Sequence, residues 1–178
     1  VLYIGNDHGV YTSLNQGVSW EPFSSGLTSA AVHDLVIQKD ENHLLVGTHG
    51  RSIYLANIEK IQNLSSEIQN SSLYMYPLKD VKYSNSWGSK RSIWSESFEP
   101  NMEFTLFSSS MKNYELSIVD SDNKTLYRSQ GKLDNGFNFI SYNLKSNESS
   151  VMDYLTKGSY KVLIMTDKDN LEKEFQIK

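Results

Sequence analysis

The chain has 178 residues, a formal net charge of −4 and no cysteine. Without cysteine it has no disulfides, thiolate metal sites or cysteine nucleophiles, and its acidic balance provides no basic footprint for nucleic acid. No apolar run approaches the roughly 20 residues of a membrane-spanning helix, so we expect no membrane span. Eleven tyrosines, seven phenylalanines and three tryptophans among many serines and asparagines predict an all-β fold.

The first sixty residues contain a weak internal repeat. Segment 2–11 matches segment 44–54, and Gly5 aligns with Gly47 at a separation of 42 residues. Each copy reads as a strand, a glycine-bearing turn and a second strand, and a repeat of about 40–45 residues with several short strands is typical of propeller blades. Residues 1–58 therefore predict the last one to two blades of a β-propeller. We expect this propeller to be incomplete, because closure takes about 4–8 blades.

The most specific motif of the chain lies between the two copies, over residues 13–20. Its key positions are Ser13, Asn15, Gly17 and Trp20. The motif resembles the Asp-box, or bacterial neuraminidase repeat, with asparagine in place of the aspartate. In such a turn the polar side chain at position 15 bonds the backbone, the glycine takes a positive φ and the tryptophan packs beneath. We therefore interpret the motif as structural rather than ligand-binding.

The surrounding sequence resembles the final blade of exported bacterial Asp-box propeller proteins, often labelled glycosyl hydrolase or sortilin-like. Besides the Asp-box, the glycine turn at Gly5 and the Gly-Thr-His-Gly-Arg run at 47–51 match the family pattern. The resemblance covers about the first third of the chain. It implies a bacterial protein that is secreted, periplasmic or on the cell surface, with upstream propeller blades as partners of this segment. It also implies a structural blade turn, formed by His49, Gly50 and Arg51.

The pattern changes after residue 58. Residues 59–102 are predicted to form a linker with a short helix and an extended crossing strand near Pro77. From residue 103 onward, short runs of alternating apolar residues separated by polar turns predict a β-sandwich over 103–178.

Three segments of this second part carry a further resemblance, 116–120, 136–138 and 155–162. They resemble the immunoglobulin-like module of flagellar hook-capping proteins and, equally, the C-terminal sorting domain of type IX secretion. Both resemblances imply an immunoglobulin-like fold. The fold class expected for the whole chain is thus all-β, with incomplete β-propeller blades plus a C-terminal immunoglobulin-like β-sandwich.

Candidate sites for chemistry are few. A glycosidase needs two carboxylates, and the weak candidate is Asp7, whose partner would have to come from a blade outside this sequence. No pair of histidines has metal-site spacing, so we predict no metal and no cofactor. Trp87 and Trp94 lie in a stretch rich in serine and asparagine. They would form either a sugar-stacking platform or a hydrophobic staple between the two domains.

Three hypotheses follow for the function. The first is a non-catalytic structural or interaction region of a secreted Asp-box propeller protein, not an enzyme on its own. The second is part of a glycoside hydrolase whose active site lies mainly in upstream blades. The third is a carbohydrate-binding module or a type IX sorting domain, with a carbohydrate or cell-surface partner. Because truncated blades expose an unpaired strand, we also expect either an edge-strand dimer or coverage of that edge by the sandwich.

Overall fold

The fold is described from a computed structural model, which covers residues 1–23, 29–148 and 153–178. The chain divides into two compact units, Val1–Ser65 and Ser66–Lys178. Antiparallel strands dominate both units, which confirms the all-β prediction. Among the described residues, none of the helices has the length and apolar character needed to cross a membrane.

The described part of the first unit contains two three-stranded antiparallel sheets. Its strands are β1 (Leu2–Asn6), β2 (Gly9–Ser13), β3 (Glu21–Pro22), β4 (Val32–Gln38), β5 (His43–Thr48) and β6 (Ile53–Asn57). The first three strands form one sheet and the last three form the other, each in chain order. Both copies of the sequence repeat are hairpins, β1–β2 and β5–β6. The repeat therefore marks equivalent strand–turn–strand units in two different sheets.

A small hydrophobic core holds the first unit together. Its buried members are Val10, Leu44, Val46 and Ile58. In β5 the buried residues alternate with a half-buried leucine, as expected of a strand with two distinct faces. Strand β1 comes close to β4 at Gly5, where an added Cβ atom would lie only 2.4 Å from Cγ1 of Val32. A residue without a side chain is therefore needed at this approach of the two sheets.

Two short helices follow, α1 (Glu59–Gln62) and α2 (Ser66–Asn70). Helix α1 directs Ile61 into the protein interior and belongs to the first unit. Helix α2 is the first element of the second unit. The short helix predicted at the start of the linker is thus present, at the end of the first unit.

The described part of the second unit has two antiparallel sheets, of four and three strands. The strands are β7 (Leu73–Met75), β8 (Met102–Ser108), β9 (Lys112–Val119), β10 (Thr125–Leu133), β11 (Gly136–Tyr142), β12 (Gly158–Met165) and β13 (Asn170–Ile177). The larger sheet has the order β10-β9-β12-β13, and the smaller has the order β11-β8-β7. Both sheets contribute alternate residues to one hydrophobic core. Its fully buried side chains include Phe104, Leu106, Leu116, Ile118, Ile164 and Phe175.

The predicted linker boundaries need correction. Strand β7 lies inside the stretch 59–102, yet it pairs with β8 and so belongs to a sheet of the second unit. Further along, the backbone N–H of Tyr83 donates to the carbonyl of Lys178 at 2.7 Å, and the N–H of Val81 donates to the carbonyl of Gln176 at 2.8 Å. Residues 66–102 are therefore an integral part of the second unit. The sequence could not predict these pairings, because the partners of the backbone groups are up to about a hundred residues away.

Candidate functional site

The Asp-box segment forms the turn between β2 and β3. The carboxamide oxygen of Asn15 accepts a hydrogen bond from the backbone N–H of Ser19 at 2.9 Å and another from the hydroxyl of Ser13 at 3.0 Å. The amide nitrogen of Asn15 donates to the Ser19 hydroxyl at 2.9 Å. Gly17 has a φ of 93°, and its N–H donates to the buried Ser13 hydroxyl at 2.7 Å. An aspartate in place of Asn15 would supply the same acceptor, so the turn keeps its geometry with asparagine.

Trp20 follows this turn at the start of β3. A Cβ atom at Gly17 would lie 3.9 Å from the Trp20 ring, so the indole packs against the turn backbone. The ring nevertheless stays 38% exposed. All four Asp-box residues thus contribute to the conformation of one turn.

The turn after β5 contains His49, Gly50 and Arg51. The backbone N–H of His49 donates to the carbonyl of Ala31 at 2.9 Å, and Gly50 has a φ of 70°. The His49 ring stacks on His33, with ring centroids 5.1 Å apart and an angle of 20° between the planes. The two histidines are 16 residues apart, and no sequence pattern links them, so the contact could not be predicted from the sequence.

The stacked histidines do not by themselves make a metal centre. A catalytic zinc site uses three protein ligands and a structural one uses four. Among the described residues, no group of three or more histidine, aspartate or glutamate side chains is placed to hold a metal ion.

Asp7, the weak catalytic candidate, lies in the exposed turn between β1 and β2. Within the described residues its carboxylate takes part in no hydrogen bond or ion pair. The adjacent turn is held instead by Asn6, whose side-chain oxygen accepts a hydrogen bond from the N–H of His8 at 2.8 Å. The pair of carboxylates that a glycosidase needs is therefore not assembled around Asp7 in this part of the chain.

The structure separates the two tryptophans that the sequence grouped. Trp87 is half-buried against the core of the second unit. Its ring lies 5.0 Å from that of Tyr83 and 5.8 Å from that of Tyr154, measured between centroids. Trp94 is 91% exposed, and no ring contact joins it to Trp87 in the described part of the chain. A shared platform of the two tryptophans is therefore not formed.

Next to Trp87 lies a polar cluster made by Glu99, Lys145 and Tyr154. The Tyr154 hydroxyl donates to Glu99 Oε2 at 2.6 Å, and Lys145 Nζ lies 3.0 Å from the same oxygen. The ammonium group also lies 4.8 Å from the centroid of the Tyr154 ring. The hydrogen bond from Tyr154, followed by that from Lys145, lowers the pKa of Glu99. All three groups are near the solvent, so the cluster fixes geometry more than it stabilises the fold.

This cluster supports the base of a projecting hairpin, residues 88–98, which we name the Trp94 hairpin. Gly88 is packed so closely that a Cβ atom there would lie 3.0 Å from the Tyr154 ring. The N–H of Gly88 donates to the carbonyl of Phe98, and the N–H of Phe98 donates to the carbonyl of Ser89, both at 2.8 Å. A bridge between Lys90 and residue 97 extends the stem.

Two serines close the tip of the Trp94 hairpin. The N–H of Ser92 donates to the Ser95 hydroxyl at 3.0 Å, and that hydroxyl donates to the Ser92 carbonyl at 3.0 Å. The N–H of Trp94 donates to the Ser92 hydroxyl at 3.3 Å. Ile93 and Trp94 lie at this apex and are 83% and 91% exposed. The turn therefore holds two large apolar side chains in the solvent.

A groove of about 550 Å³ runs along the hairpin. The residues that line it are mostly polar and include two cations, one carboxylate, several serines and one phenylalanine. They are Ser84, Ser86, Ser89, Lys90, Arg91, Ser95, Glu96, Ser97 and Phe98. This groove and the exposed tip together present charged, polar and aromatic groups to the solvent. Trp94 was a candidate from the sequence, but the groove was not.

Comparisons with known proteins give little guidance. No protein-family model and no curated protein matches the chain. Among solved structures, the crystal structure of S.CueP is similar over 81% of this chain and 71% of that chain, with 8% sequence identity and a TM-score of 0.27. A similarity of this size carries no argument about fold or function.

Proposed function

We propose that this chain is a non-catalytic structural and interaction region of a secreted bacterial Asp-box propeller protein. In this proposal the first unit supplies blades, and the second is an immunoglobulin-like sandwich. The secreted, periplasmic or cell-surface location rests on the resemblance of the Asp-box segment. The observation that carries the structural role is the uncovered apolar face of the sheet β4-β5-β6.

That face crosses all three strands. Leu45 in the central strand is paired with Val36 on one side and Leu55 on the other, so the three side chains share one face. Val36 is 52% exposed, Leu55 is 62% exposed and Ile53, on the same edge strand, is 73% exposed. The next row of the same face is polar and consists of Gln38, His43 and Asn57, so the apolar surface is a patch. The opposite face carries the buried Leu44. Such an apolar patch on the second face of a sheet is covered when another layer packs on it, as in the blades of a propeller.

The size of the face indicates what covers it. Three strands about 4.8 Å apart and about six residues long present roughly 300 Å². Two copies meeting there would bury about 600 Å², about half of the 1,200 Å² that the smallest standard specific interfaces reach. A covering sheet in the same polypeptide avoids the loss of translational and rotational freedom that a separate partner would suffer. We therefore favour another blade of the same chain over a dimer as the occupant.

The second unit supports the immunoglobulin-like part of the proposal by its strand order. Its first, second and fifth strands, β7, β8 and β11, share one sheet, while its third, sixth and seventh, β9, β12 and β13, share the other. This division resembles the two sheets of the immunoglobulin fold, with the fourth strand moved beside the third. In addition, the Tyr160 hydroxyl at the start of β12 donates to the carbonyl of Thr156 at 2.8 Å. A tyrosine bonded to the backbone a few residues upstream is a recurrent feature at this corner.

The proposal is tested on the native protein isolated from its own cells. Its intact mass gives the length of chain upstream of Val1, and carbene labelling of side chains compares the native protein with the 178-residue chain. We expect upstream blades and at least severalfold lower labelling of Ile53 and Leu55 in the native protein. Met111, which is 58% exposed in the second unit, serves as the control that should keep its labelling.

Equal labelling of Leu55 in both samples would contradict the blade role. Sedimentation gives the concentrations at which the native protein forms dimers. If Ile53 and Leu55 are protected from labelling only at those concentrations, a partner copy covers them and not a blade of the same polypeptide. The glycoside-hydrolase and type IX sorting hypotheses stay predictions.

A further inference from the structure

The groove of the Trp94 hairpin is lined by two cations and one carboxylate, so its net charge is positive. Lys90 and Arg91 are exposed, and within the described residues neither side chain has an ion pair or a hydrogen bond. Other lysines of the same unit do have carboxylate partners, such as Lys112 with Asp169 at 3.0 Å. Unpaired cations in a groove favour an anionic ligand. The protein's net charge of −4 opposes this only weakly at close range, because the screening length at physiological salt is about 8 Å.

Aromatic surface accompanies these charges. Phe98 lines the groove and is 55% exposed, and Trp94 follows Ile93 at the apex, next to Ser95 of the groove wall. Exposed aromatic faces pack on flat ligands that present C–H groups or rings. A ligand for this surface therefore combines negative charge with a flat, partly apolar ring.

The remaining groups of the groove call for a ligand that donates hydrogen bonds. The exposed carboxylate of Glu96 accepts hydrogen bonds only, and the hydroxyls of Ser86 and Ser97 both donate and accept. Sugar hydroxyls supply such donors. A phosphodiester backbone has no hydrogen to donate to Glu96. The volume of about 550 Å³ is that of ordinary small-ligand sites.

The surface is also held in place before any ligand arrives. Hydrogen bonds between Ser92 and Ser95 fix the tip, and the packing of Gly88 on Tyr154 fixes the base. A preorganised site loses little conformational freedom on binding, which favours weak ligands such as single sugar rings.

We propose that the groove of the Trp94 hairpin binds an acidic polysaccharide, a chain of pyranose rings that carry carboxylates. Lys90 and Arg91 contact the carboxylates, Trp94 and Phe98 contact ring faces, and Glu96 accepts hydrogen bonds from ring hydroxyls. The site lies wholly in the second unit. It is independent of the blade role proposed for the first unit, and each can fail without the other.

The test uses the full 178-residue chain with alginate as the acidic polysaccharide and dextran as the neutral one. Affinity electrophoresis reports binding for every variant, tryptophan fluorescence reports it for the variants that keep Trp94, and circular dichroism verifies that each variant folds. We expect binding to alginate but not to dextran, weakened by salt. We expect Trp94→Ala, and separately the double change Lys90→Ser and Arg91→Ser, to weaken it about tenfold or more, the loss that an energetically central contact produces.

A matched control has the double change Lys124→Ser and Lys168→Ser, which removes the same charge from exposed turns elsewhere in the unit. This control should bind alginate like the unaltered chain. The proposal is overturned by no binding to alginate, by equal binding to dextran, or by equal losses in the control and the groove variant. It is equally overturned if a single-stranded oligonucleotide or vesicles of anionic lipid bind more tightly than alginate through the same residues.

Discussion

The two glycines aligned by the sequence repeat, Gly5 and Gly47, should respond in opposite ways to substitution by alanine. Neither has a positive φ, so neither needs glycine for its backbone conformation. At Gly5 a new Cβ atom would lie 2.4 Å from Cγ1 and 2.8 Å from Cβ of Val32. At Gly47 the nearest atoms, those of Asp34, are 3.7 Å away, an ordinary contact distance.

The size of the two effects can be worked out from these distances. The clash at Gly5 is with a β-branched side chain, which has little rotamer freedom to move aside. Relieving it requires β1 and β4 to separate by about 1 Å, and such overpacking costs about 1–3 kcal/mol. Alanine also reduces the conformational freedom of the unfolded chain, which raises the free energy of unfolding by about 0.4–1 kcal/mol. We therefore expect Gly5→Ala to lower the free energy of unfolding by about 1–2 kcal/mol, and Gly47→Ala to leave it unchanged or raise it by up to about 1 kcal/mol.

Hydrogen exchange measured by mass spectrometry on the full chain resolves this contrast. Peptides that cover β1 and β4 report the opening free energy of the first unit, and peptides from the second unit serve as an internal reference. Gly5→Ala should accelerate exchange in β1 and β4 by about five- to thirtyfold. Equal effects of the two substitutions would show that β1 and β4 do not approach each other at Gly5 as described.

Substitutions at three further positions test individual contacts. Asn15→Ala should destabilise the first unit by about 1–2 kcal/mol, because the N–H of Ser19 loses its acceptor, while Asn15→Asp should stay within about 0.5 kcal/mol, both measured by urea unfolding. Tyr3→Phe should raise the free energy of unfolding by about 1 kcal/mol, since the buried Tyr3 hydroxyl has no hydrogen-bond partner among the described residues and burial raises its pKa to about 12. Desolvation raises the pKa of Asp169, but the hydrogen bond from Lys112 and others outweigh it and lower the pKa overall. The Asp169 carboxylate therefore makes its whole contribution to the free energy of unfolding above its pKa in the unfolded chain, near 3.9. That contribution is lost as the pH falls through its lower pKa in the folded protein. In the Asp169→Asn variant, the unfolding temperature of the second unit should fall less between about pH 5 and pH 3 than it does in the unaltered chain.

Features determined by local sequence could be predicted. The Asp-box turn depends on side chains within seven residues of one another, so the roles of Asn15 and Gly17 follow from their spacing. The strands of the second unit alternate apolar and polar residues, and this pattern predicted the all-β class. The contact of Trp87 with Tyr154 and the pairing of β7 with β8 join residues far apart in the sequence, so no local pattern predicts them. For the same reason the sequence did not show that residues 66–102 of the predicted linker belong to the second unit.

The candidate site was predicted least well, because both tryptophans lie in the same stretch rich in serine and asparagine and could not be distinguished by their neighbours in the sequence. Trp87 contributes to packing at the base of the hairpin, while Trp94 stays in water at its tip. Burying such a ring would gain roughly 1.5–3 kcal/mol. The hydrogen bonds of Ser92 and Ser95 instead hold the tip in a turn that leaves the ring exposed. The chain thus keeps an apolar ring exposed beside unpaired cations, an arrangement that costs stability and is best explained by a ligand that covers it.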